Sequence, residues 1–520
     1  MKEKFDIDNI PDELFEFAQP DEKLHDRKFE TKPVGYFRDA WRRFRKNKGS
    51  IAGAVIILLI VIYAVFVPFI SKYDIDYSDG TYKKVRPKVQ WLSFIGFFDG
   101  GMEQKLNDKY YAYYMAMAVG AEDSDGAGVS YSEAEDSRYN PIMKTGDEYK
   151  ASGKTYRDAR LDSYNSVGFK YMTVTAEEYD RIVQWQQDSG ITVIYPMVDT
   201  ASEYCVEKGN ANFWYKSVGG NPVRVNSDTK DDYAKLTLED IITDGFEDNY
   251  LRDSDGNVLY YKESDKSMRT VRVLYYNYYQ YKNGFEPQFY LGADGQGFDI
   301  FVRLAYGLRL SLVLALCVSA VNLTFGAIWG AVEGYYGGIV DIVGERISDI
   351  LNGIPFIVLA SLIQLHLVNT GKVSQFAALL FCYFLTGWIG TAYRVRTQFY
   401  RFKNQEYVLA ARTLGAGDRR LMFKHIFPNA LGTIITSSVL VIPSVILTES
   451  VLSYLGIINF QGKTMTSLGT LLSNGQSYLS TDPHIILFPA LMISLLMISF
   501  NLFGNGLRDA FNPSLRGADE

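Results

Sequence analysis

The chain has 520 residues, a formal net charge of −7, 47% hydrophobic and 22% charged residues, and a mean hydropathy of −0.07. Those averages combine two unlike parts: residues 73–295 hold 25 Lys+Arg, 37 Asp+Glu and 27 of the 38 tyrosines, whereas the rest holds 28 and 23 and carries long apolar runs. This division excludes a single soluble enzyme and a disordered chain, and the net negative charge gives no support to nucleic-acid binding.

The first 49 residues are mostly polar, and a charge-free run follows at 51–70. About 20 apolar helical residues cross a bilayer core, so this run reads as an uncleaved anchor and a first span rather than a signal peptide. Further spans are expected at 310–332, at 354–368 with Pro355 near its start, at 376–392, at 431–452 with Pro443 inside, and at 486–503. Cationic residues crowd two places: Arg42, Arg43, Arg45, Lys46 and Lys48 before the first span, and Arg394, Arg396, Arg401, Lys403, Arg412, Arg419, Arg420 and Lys424 between the fourth and fifth. Such residues stay on the cytoplasmic side. Six spans then put both termini in the cytoplasm and 73–295 outside.

Residues 73–295 are too long for a loop and read as an inserted α+β domain. A strand is expected at 169–174. Thr175 and Glu178 form a capping-box start for a helix to about Gln187, which Gly190 stops. A strand at 191–197, a hairpin at 251–261 around Asp253–Asn257, and a tyrosine-rich strand at 271–281 follow. The tyrosines read first as core and sheet-surface residues and second as a binding surface. Ser152-Gly-Lys-Thr155 mimics the end of a phosphate loop, but Glu148 stands where that motif needs glycine. Asp253-Ser-Asp-Gly256 lacks the closing glutamate of a calcium loop. Cys205, Cys317 and Cys382, with His25, His366, His425 and His484, are too scattered for a disulfide framework or a metal site.

Polar groups within or beside spans are candidates for a transport pathway, since a charge at the bilayer centre costs about 2.5–3.5 kcal/mol. They are Asn322, Asn352, Gln364 and Glu449. Helix-to-helix hydrogen bonding, or for Glu449 a place near the outer interface, is the plainer reading of each. Arg303 and Arg309 read as gate residues or as interfacial anchors. The stretch 405–431 reads QEYVLAARTLGAGDRRLMFKHIFPNAL. It predicts a short helix over 406–414 with small Ala410 and Ala411, a break at Gly415-Ala-Gly417, a second helix capped by Asp418 and running to His425, and Pro428 opening the next span. A hairpin of this kind is either a surface that another protein grips or a plain connector.

This stretch resembles the coupling loop of importer-type ATP-binding-cassette permeases, whose pattern is Glu-Ala-Ala, three residues, Gly, nine residues, Ile-x-Leu-Pro. Ala410, Ala411, Gly415 and Pro428 are in place, while Leu409, His425 and Phe427 depart from it. Glu406-Tyr-Val408, Leu414-Gly-Ala416 and His425-Ile-Phe-Pro-Asn429 are similar to the peptide branch. So are residues 291–312 (LGADGQGFDIFVRLAYGLRLSL), 449–456 (ESVLSYLG) and 501–513 (NLFGNGLRDAFNP), with Ala293, Phe298, Val302, Asn505 and Asn512 as departures. The resemblance covers roughly 36–72 and 291–513 and gives out in the insertion.

It implies an α-helical polytopic membrane protein of six transmembrane helices, a type I importer permease. The division is a cytoplasmic segment 1–49, a first span 50–72, the insertion 73–295, a permease core 296–507 with its coupling loop at 398–427, and a cytoplasmic tail 508–520. By resemblance, Glu406, Ala410, Ala411, Leu414, Gly415, Ala416 and Asp418 couple to ATPases. It further implies a B-type permease, two ATPase subunits that hold ATP and Mg, an extracytoplasmic peptide-binding lipoprotein, lipid of a bacterial cell membrane, and no cofactor in this chain. A nickel or metal-chelate permease shares these motifs. A membrane-anchored receptor, from a different functional class, has no need of the coupling loop.

Overall fold

The computed structural model describes residues 36–511 apart from Ser152, residues 226–232, Lys266 and Gln461. Residues 1–35, Ser152 of the phosphate-loop lookalike, and the expected tail beyond Phe511, with Asn512 and Pro513 of the last motif, lie outside the described residues.

Among the described residues, five helices are long and apolar enough to cross a membrane: Lys48–Ile70, Ile300–Tyr336, Gln375–Phe402, Asp418–Tyr454 and His484–Phe511. A sixth crossing results if the pair Gly338–Asn352 and Phe356–Val368, bent by 68°, is one span. The expected third span, 354–368, is the second half of this pair, and Gly338–Asn352 precedes it. The break between them at Pro355 follows from the ring, which removes a donor and keeps the preceding residue out of the helical region. The first half of the pair is diluted by Asp341, Glu345, Arg346 and Asp349, so hydropathy passes over it.

The fifth span also differs. It begins at Asp418 rather than near Pro428, because the expected second hairpin helix continues into it. A π-helical turn over Leu421–Ile426 stands just before Pro428 and absorbs its missing N–H. In the first span, Pro68 removes the donor that would reach the Ala64 carbonyl. Arg309 supplies it instead, donating from Nε to Ala64 and from Nη2 to Val65.

Small residues set a close helix contact. Gly326, Gly330 and Gly334 form one stripe of the Ile300–Tyr336 helix, and a Cβ at Gly330 would sit 2.1 Å from the Ala392 carbonyl oxygen. Only a stripe without side chains lets these backbones approach so closely, the device by which membrane helices gain packing without a hydrophobic drive.

The insertion mixes helices with small antiparallel sheets. Gly101–Asn107 pairs with Lys154–Asp162, which pairs with Ile142–Ala151. Phe169–Thr175 pairs with Met268–Leu274, which also pairs with Ile194–Tyr195 and Tyr261–Asp265. Ser217–Val218, Asn221–Val225 and Tyr233–Lys235 form a third sheet. Trp214, Met115, Phe169 and Tyr215 centre its main core.

Thr175 caps the Ala176–Ser189 helix, accepting from the Glu178 amide at 3.1 Å. The reciprocal half of the capping box is not made, because the Glu178 carboxylate turns to Arg181 and to the Tyr281 hydroxyl. Gly190 ends the helix in the left-handed region, as expected. The strand expected over 191–197 is only Ile194–Tyr195, and the 251–261 hairpin is a single Arg252–Val258 bridge around the Asp253 turn. The strand expected over 271–281 stops at Leu274, and Tyr275–Asn283 is a helix. Its buried Tyr276 and Tyr279 lie three apart, a helical spacing that the run of tyrosines conceals.

Those tyrosines join the insertion to the spans. Tyr73, Tyr82, Tyr164, Tyr276, Tyr279 and Phe289 form one buried cluster that reaches Val302 of the second membrane helix. Tyr73 stacks on Phe289 at 4.9 Å, and the Tyr279 hydroxyl meets that of Tyr73 at 2.9 Å. Their chief role is thus in the core, the first of the two readings. Asp299 closes the junction: it caps the Ile300–Tyr336 helix through the Phe301 amide at 3.0 Å and is 2% exposed. Burial pushes its carboxyl up to about 7, against the pull of the backbone donors.

A carboxyl raised on folding stabilises the folded state fully below its unfolded value of about 4, and this contribution is lost as pH rises through about 7. The thermal midpoint of the detergent-solubilised protein is expected to fall across that window. Asp299→Asn keeps the cap and should flatten the slope; an unchanged slope in the variant would remove Asp299 as its source.

Candidate functional site

Two membrane helices of 37 residues, Ile300–Tyr336 and Asp418–Tyr454, are each about 55 Å long at 1.5 Å per residue, well beyond the ~30 Å bilayer core. Tyr335 and Asp418, near their ends, meet: the Tyr335 hydroxyl donates to Asp418 at 2.6 Å. Arg412 donates to the same hydroxyl at 3.4 Å. This contact carries the hairpin of residues 403–420.

The hairpin's first helix is Glu406–Thr413. The Ala416 amide bonds the Ala411 carbonyl at 3.0 Å, and the Gly415 amide bonds the Arg412 carbonyl at 3.0 Å. This is a Schellman ending, in which the residue after the cap takes the left-handed region. Gly415 has φ +82. The accompanying apolar contact is also made, since Ala411 and Ala416 pack on a cluster of Val408, Leu421, Met422 and Ile426. Asp418 does not cap the second helix as expected. Gly417 occupies that position, and the Asp418 carboxylate is turned to Tyr335.

The seven residues expected to couple therefore lie together. Ala411 and Ala416 face inward, while Glu406, Ala410, Gly415 and Asp418 are exposed and Leu414 is 88% exposed at the tip. Tyr407, Leu409 and Phe423 are exposed as well, so the hairpin presents an apolar surface. Sequence reasoning missed Tyr335, Tyr407 and Phe423. Tyr335 lies some 80 positions upstream, where no local pattern links it to the hairpin.

The six expected pathway residues are not brought together. Asn322 is buried against Gly387 at the break between Thr386 and Ile389 of the Gln375–Phe402 helix, where it fills the space of an absent side chain. Asn352 ends the Gly338–Asn352 helix and is exposed. Gln364 accepts from Gln375 at 2.7 Å and donates to Asn369 at 3.3 Å, tying a helix end to the next helix start. Arg303 is buried, lies over the Phe298 ring, and donates to the Gly462 carbonyl at 2.9 Å. Arg309 serves the Pro68 break.

Glu449 is fully buried among side chains, five residues before the end of the Asp418–Tyr454 helix, and accepts from Ser467 at 2.6 Å, Ser453 at 3.0 Å and Ser311 at 3.2 Å. The Ser311 hydroxyl also accepts from the Leu468 amide at 3.3 Å. A carboxylate so enclosed binds the Ile300–Tyr336, Val441–Tyr454 and Leu468–Gly475 helices to one another, because each serine hydroxyl replaces a water lost on burial.

Residues 322–517 match the family of binding-protein-dependent transport system inner membrane components, and residues 35–87 match the N-terminal TM domain of oligopeptide transport permease C. Residues 88–321, most of them in the insertion, lie outside both matches. The chain is 41% identical over 227 residues to the oligopeptide transport system permease protein OppC of Bacillus subtilis (strain 168), covering 44% of this chain and 72% of that protein. It is 38% identical over 228 residues to the dipeptide transport system permease protein DppC of the same organism, covering 44% and 69%. Among solved structures, the MetNI methionine ABC transporter in inward-facing conformations is similar with TM-score 0.33 and 17% identity, over 40% of this chain and 96% of that one. An amino acid ABC transporter is similar with TM-score 0.32 and 16% identity, over 39% and 91%.

The Schellman geometry separates the two hairpin glycines. A Cβ meets open space at both Gly415 and Gly417, but only Gly415 is left-handed, whereas Gly417 has φ −72. Gly415→Ala should cost about 1–2 kcal/mol and Gly417→Ala much less. Hydrogen exchange of the 411–416 amides is the measurement: about 5–30-fold faster exchange is expected in the first variant alone. Equal rates in both variants would mean that the hairpin does not depend on this ending.

Proposed function

Because the chain belongs to the binding-protein-dependent transport permeases, in the C-type branch of oligopeptide and dipeptide systems, we propose that it forms half of the pathway of an ATP-driven peptide importer. A B-type permease completes the pathway. Two ATPase subunits hold ATP and Mg and grip the hairpins, and an extracytoplasmic binding protein delivers peptide. The peptide reading stands ahead of the metal-chelate and receptor alternatives, because the similar proteins are named for oligopeptide and dipeptide transport.

One observation carries the coupling role: a rigidly closed hairpin presents exposed Tyr407, Leu409 and Leu414 at the free end of two helices longer than a bilayer is thick. Such a surface suits a protein partner better than water. Closure of the ATPases around ATP pushes Leu414 and its neighbours. The Asp418–Tyr454 helix begins in that hairpin and carries Glu449 at its other end, so the push reaches the Ser311 and Ser467 contacts as a rigid-body movement. Alternation between two packings of these helices opens the pathway to one side and then the other. Both termini and the hairpin lie in the cytoplasm and the insertion lies outside, a topology supported by the cationic residues around 394–424. The insertion, with its net charge of −12 from 25 Lys+Arg and 37 Asp+Glu, docks the binding protein and speeds its encounter.

Leu414→Ser leaves the buried side of the hairpin intact and should reduce peptide uptake in proteoliposomes, with peptide-stimulated ATP hydrolysis, by about tenfold, a loss of about 1.4 kcal/mol of contact. Unchanged uptake by the fully assembled variant would make the hairpin a connector only. For sidedness, Cys205 is buried and is a poor reporter. A cysteine replacing exposed Ile242 should react with an impermeant thiol reagent in intact cells, and one replacing Gly417 only after lysis. Labelling of the Gly417 position from outside would invert the topology. Docking on the acidic insertion predicts that the half-saturating concentration of loaded binding protein rises with salt; a salt-independent value would separate the insertion's charge from delivery.

A further inference from the structure

A finger of the insertion touches the last membrane helix and ends in exposed apolar side chains. Its two edges are joined by the Val89 amide to the Phe98 carbonyl at 2.8 Å and the Gly100 amide to the Pro87 carbonyl at 2.9 Å. Arg86 fixes the base to the outer start of the last helix, donating to the Thr481 carbonyl at 2.8 Å, lying 3.1 Å from His484 Nδ1, and pairing with Asp482 at 3.3 Å. Between these edges, residues 89–98 read VQWLSFIGFF, without a charge. Trp91 is 76% exposed and Phe94 82%, with Ile95 and Phe97 exposed beside them.

The height of this tip is set by Phe97, whose ring meets that of Phe488 edge-on at 6.0 Å. Phe488 lies four residues into the 28-residue His484–Phe511 helix. That helix is about 42 Å long against a ~30 Å hydrocarbon core, and its apolar run begins at Ile485 while its polar residues Asn505, Arg508 and Asp509 stand at the far end. Phe488, about 6 Å from the helix start and three residues into the apolar run, therefore belongs at the outer edge of the acyl layer. Leu487 and Leu491, in the same turns, are exposed. The apolar tip is therefore continuous with the lipid-facing surface of a span.

We propose that residues 90–97 are a membrane-interface anchor. Trp91, Phe94, Ile95 and Phe97 enter the lipid leaflet that faces the insertion and hold the insertion down on the bilayer. Tryptophan and phenylalanine favour this layer, and an uncharged apolar tip suits lipid rather than water. The backbone suits it too. The Leu92 amide donates to the Val89 carbonyl at 2.9 Å and the Gly96 amide to the Ser93 carbonyl at 3.1 Å. The Ser93 hydroxyl donates to the Gln90 carbonyl at 2.9 Å, and Arg160 donates to the Gly96 carbonyl. Polar groups already paired lose little on leaving water. The inference rests on the chain spanning a membrane and not on what it transports.

The test is nitroxide accessibility in the full complex in lipid nanodiscs, with Cys205, Cys317 and Cys382 replaced by alanine. A nitroxide at Phe94→Cys should collide more with oxygen than with a neutral nickel chelate, and at Ile242→Cys the order should reverse. Chelate-dominated collisions at both positions would leave the finger in water. Exclusion of both reagents at 94 would mean that a protein subunit covers it. Either result overturns the anchor. If Phe94→Cys prevents assembly, Trp91→Cys carries the same test with the same outcomes.

Discussion

Inside a bilayer a backbone amide or carbonyl has no water to turn to, and each proline in a spanning helix removes one donor. The permease core is arranged around meeting that constraint. Pro68 frees the Ala64 carbonyl, and Arg309 reaches across from another helix to take it. Pro428 follows a π-helical turn that lets the helix continue. At Pro355 the helix is abandoned and resumes at 68° to its first course. At the Pro68 break Arg309 thereby holds the first span in register with the Ile300–Tyr336 helix.

The Ile300–Tyr336 helix collects these constraints along its length. Val302 takes up the tyrosine cluster of the insertion, Arg309 the first span, Ser311 the buried Glu449, Gly330 the Ala392 backbone, and Tyr335 the hairpin through Asp418. A single rigid helix thus connects the insertion, the enclosed carboxylate and the apolar hairpin. The Asp418–Tyr454 helix runs between the last two of these again, since it contains both Asp418 and Glu449. Movement imposed at the hairpin has a direct mechanical path to the serine contacts, without a chain of loops to dissipate it.

The insertion is tied down at more than its two chain connections. The tyrosine cluster fills its base, and Arg86 clamps the finger to residues 481–484. Tyrosine suits this work because its ring supplies buried area while its hydroxyl finds a partner, as Tyr164 does in donating to the Arg86 carbonyl at 2.9 Å. The same residues that make the insertion look like a binding surface in composition serve largely as its foundation.

Whatever depends on local composition was legible along the chain. Apolar runs located the long spans, cationic clusters marked a side, and Ala410-Ala411 with Gly415 marked the hairpin, because helix propensity, hydropathy and a left-handed glycine act over a few residues. The roles of the polar residues came from the packing of distant segments. Asn322, Gln364, Arg309 and Glu449 looked alike as polar residues in apolar surroundings, yet one fills a gap at Gly387, one ties a helix end, one serves a proline break and one joins three helices through serines. Tyr335 and Asp418, and Arg86 and His484, meet across dozens or hundreds of positions. No local periodicity encodes such pairs. The need to satisfy a buried polar group fixes that a partner exists, and the packing of the helices fixes which one it is.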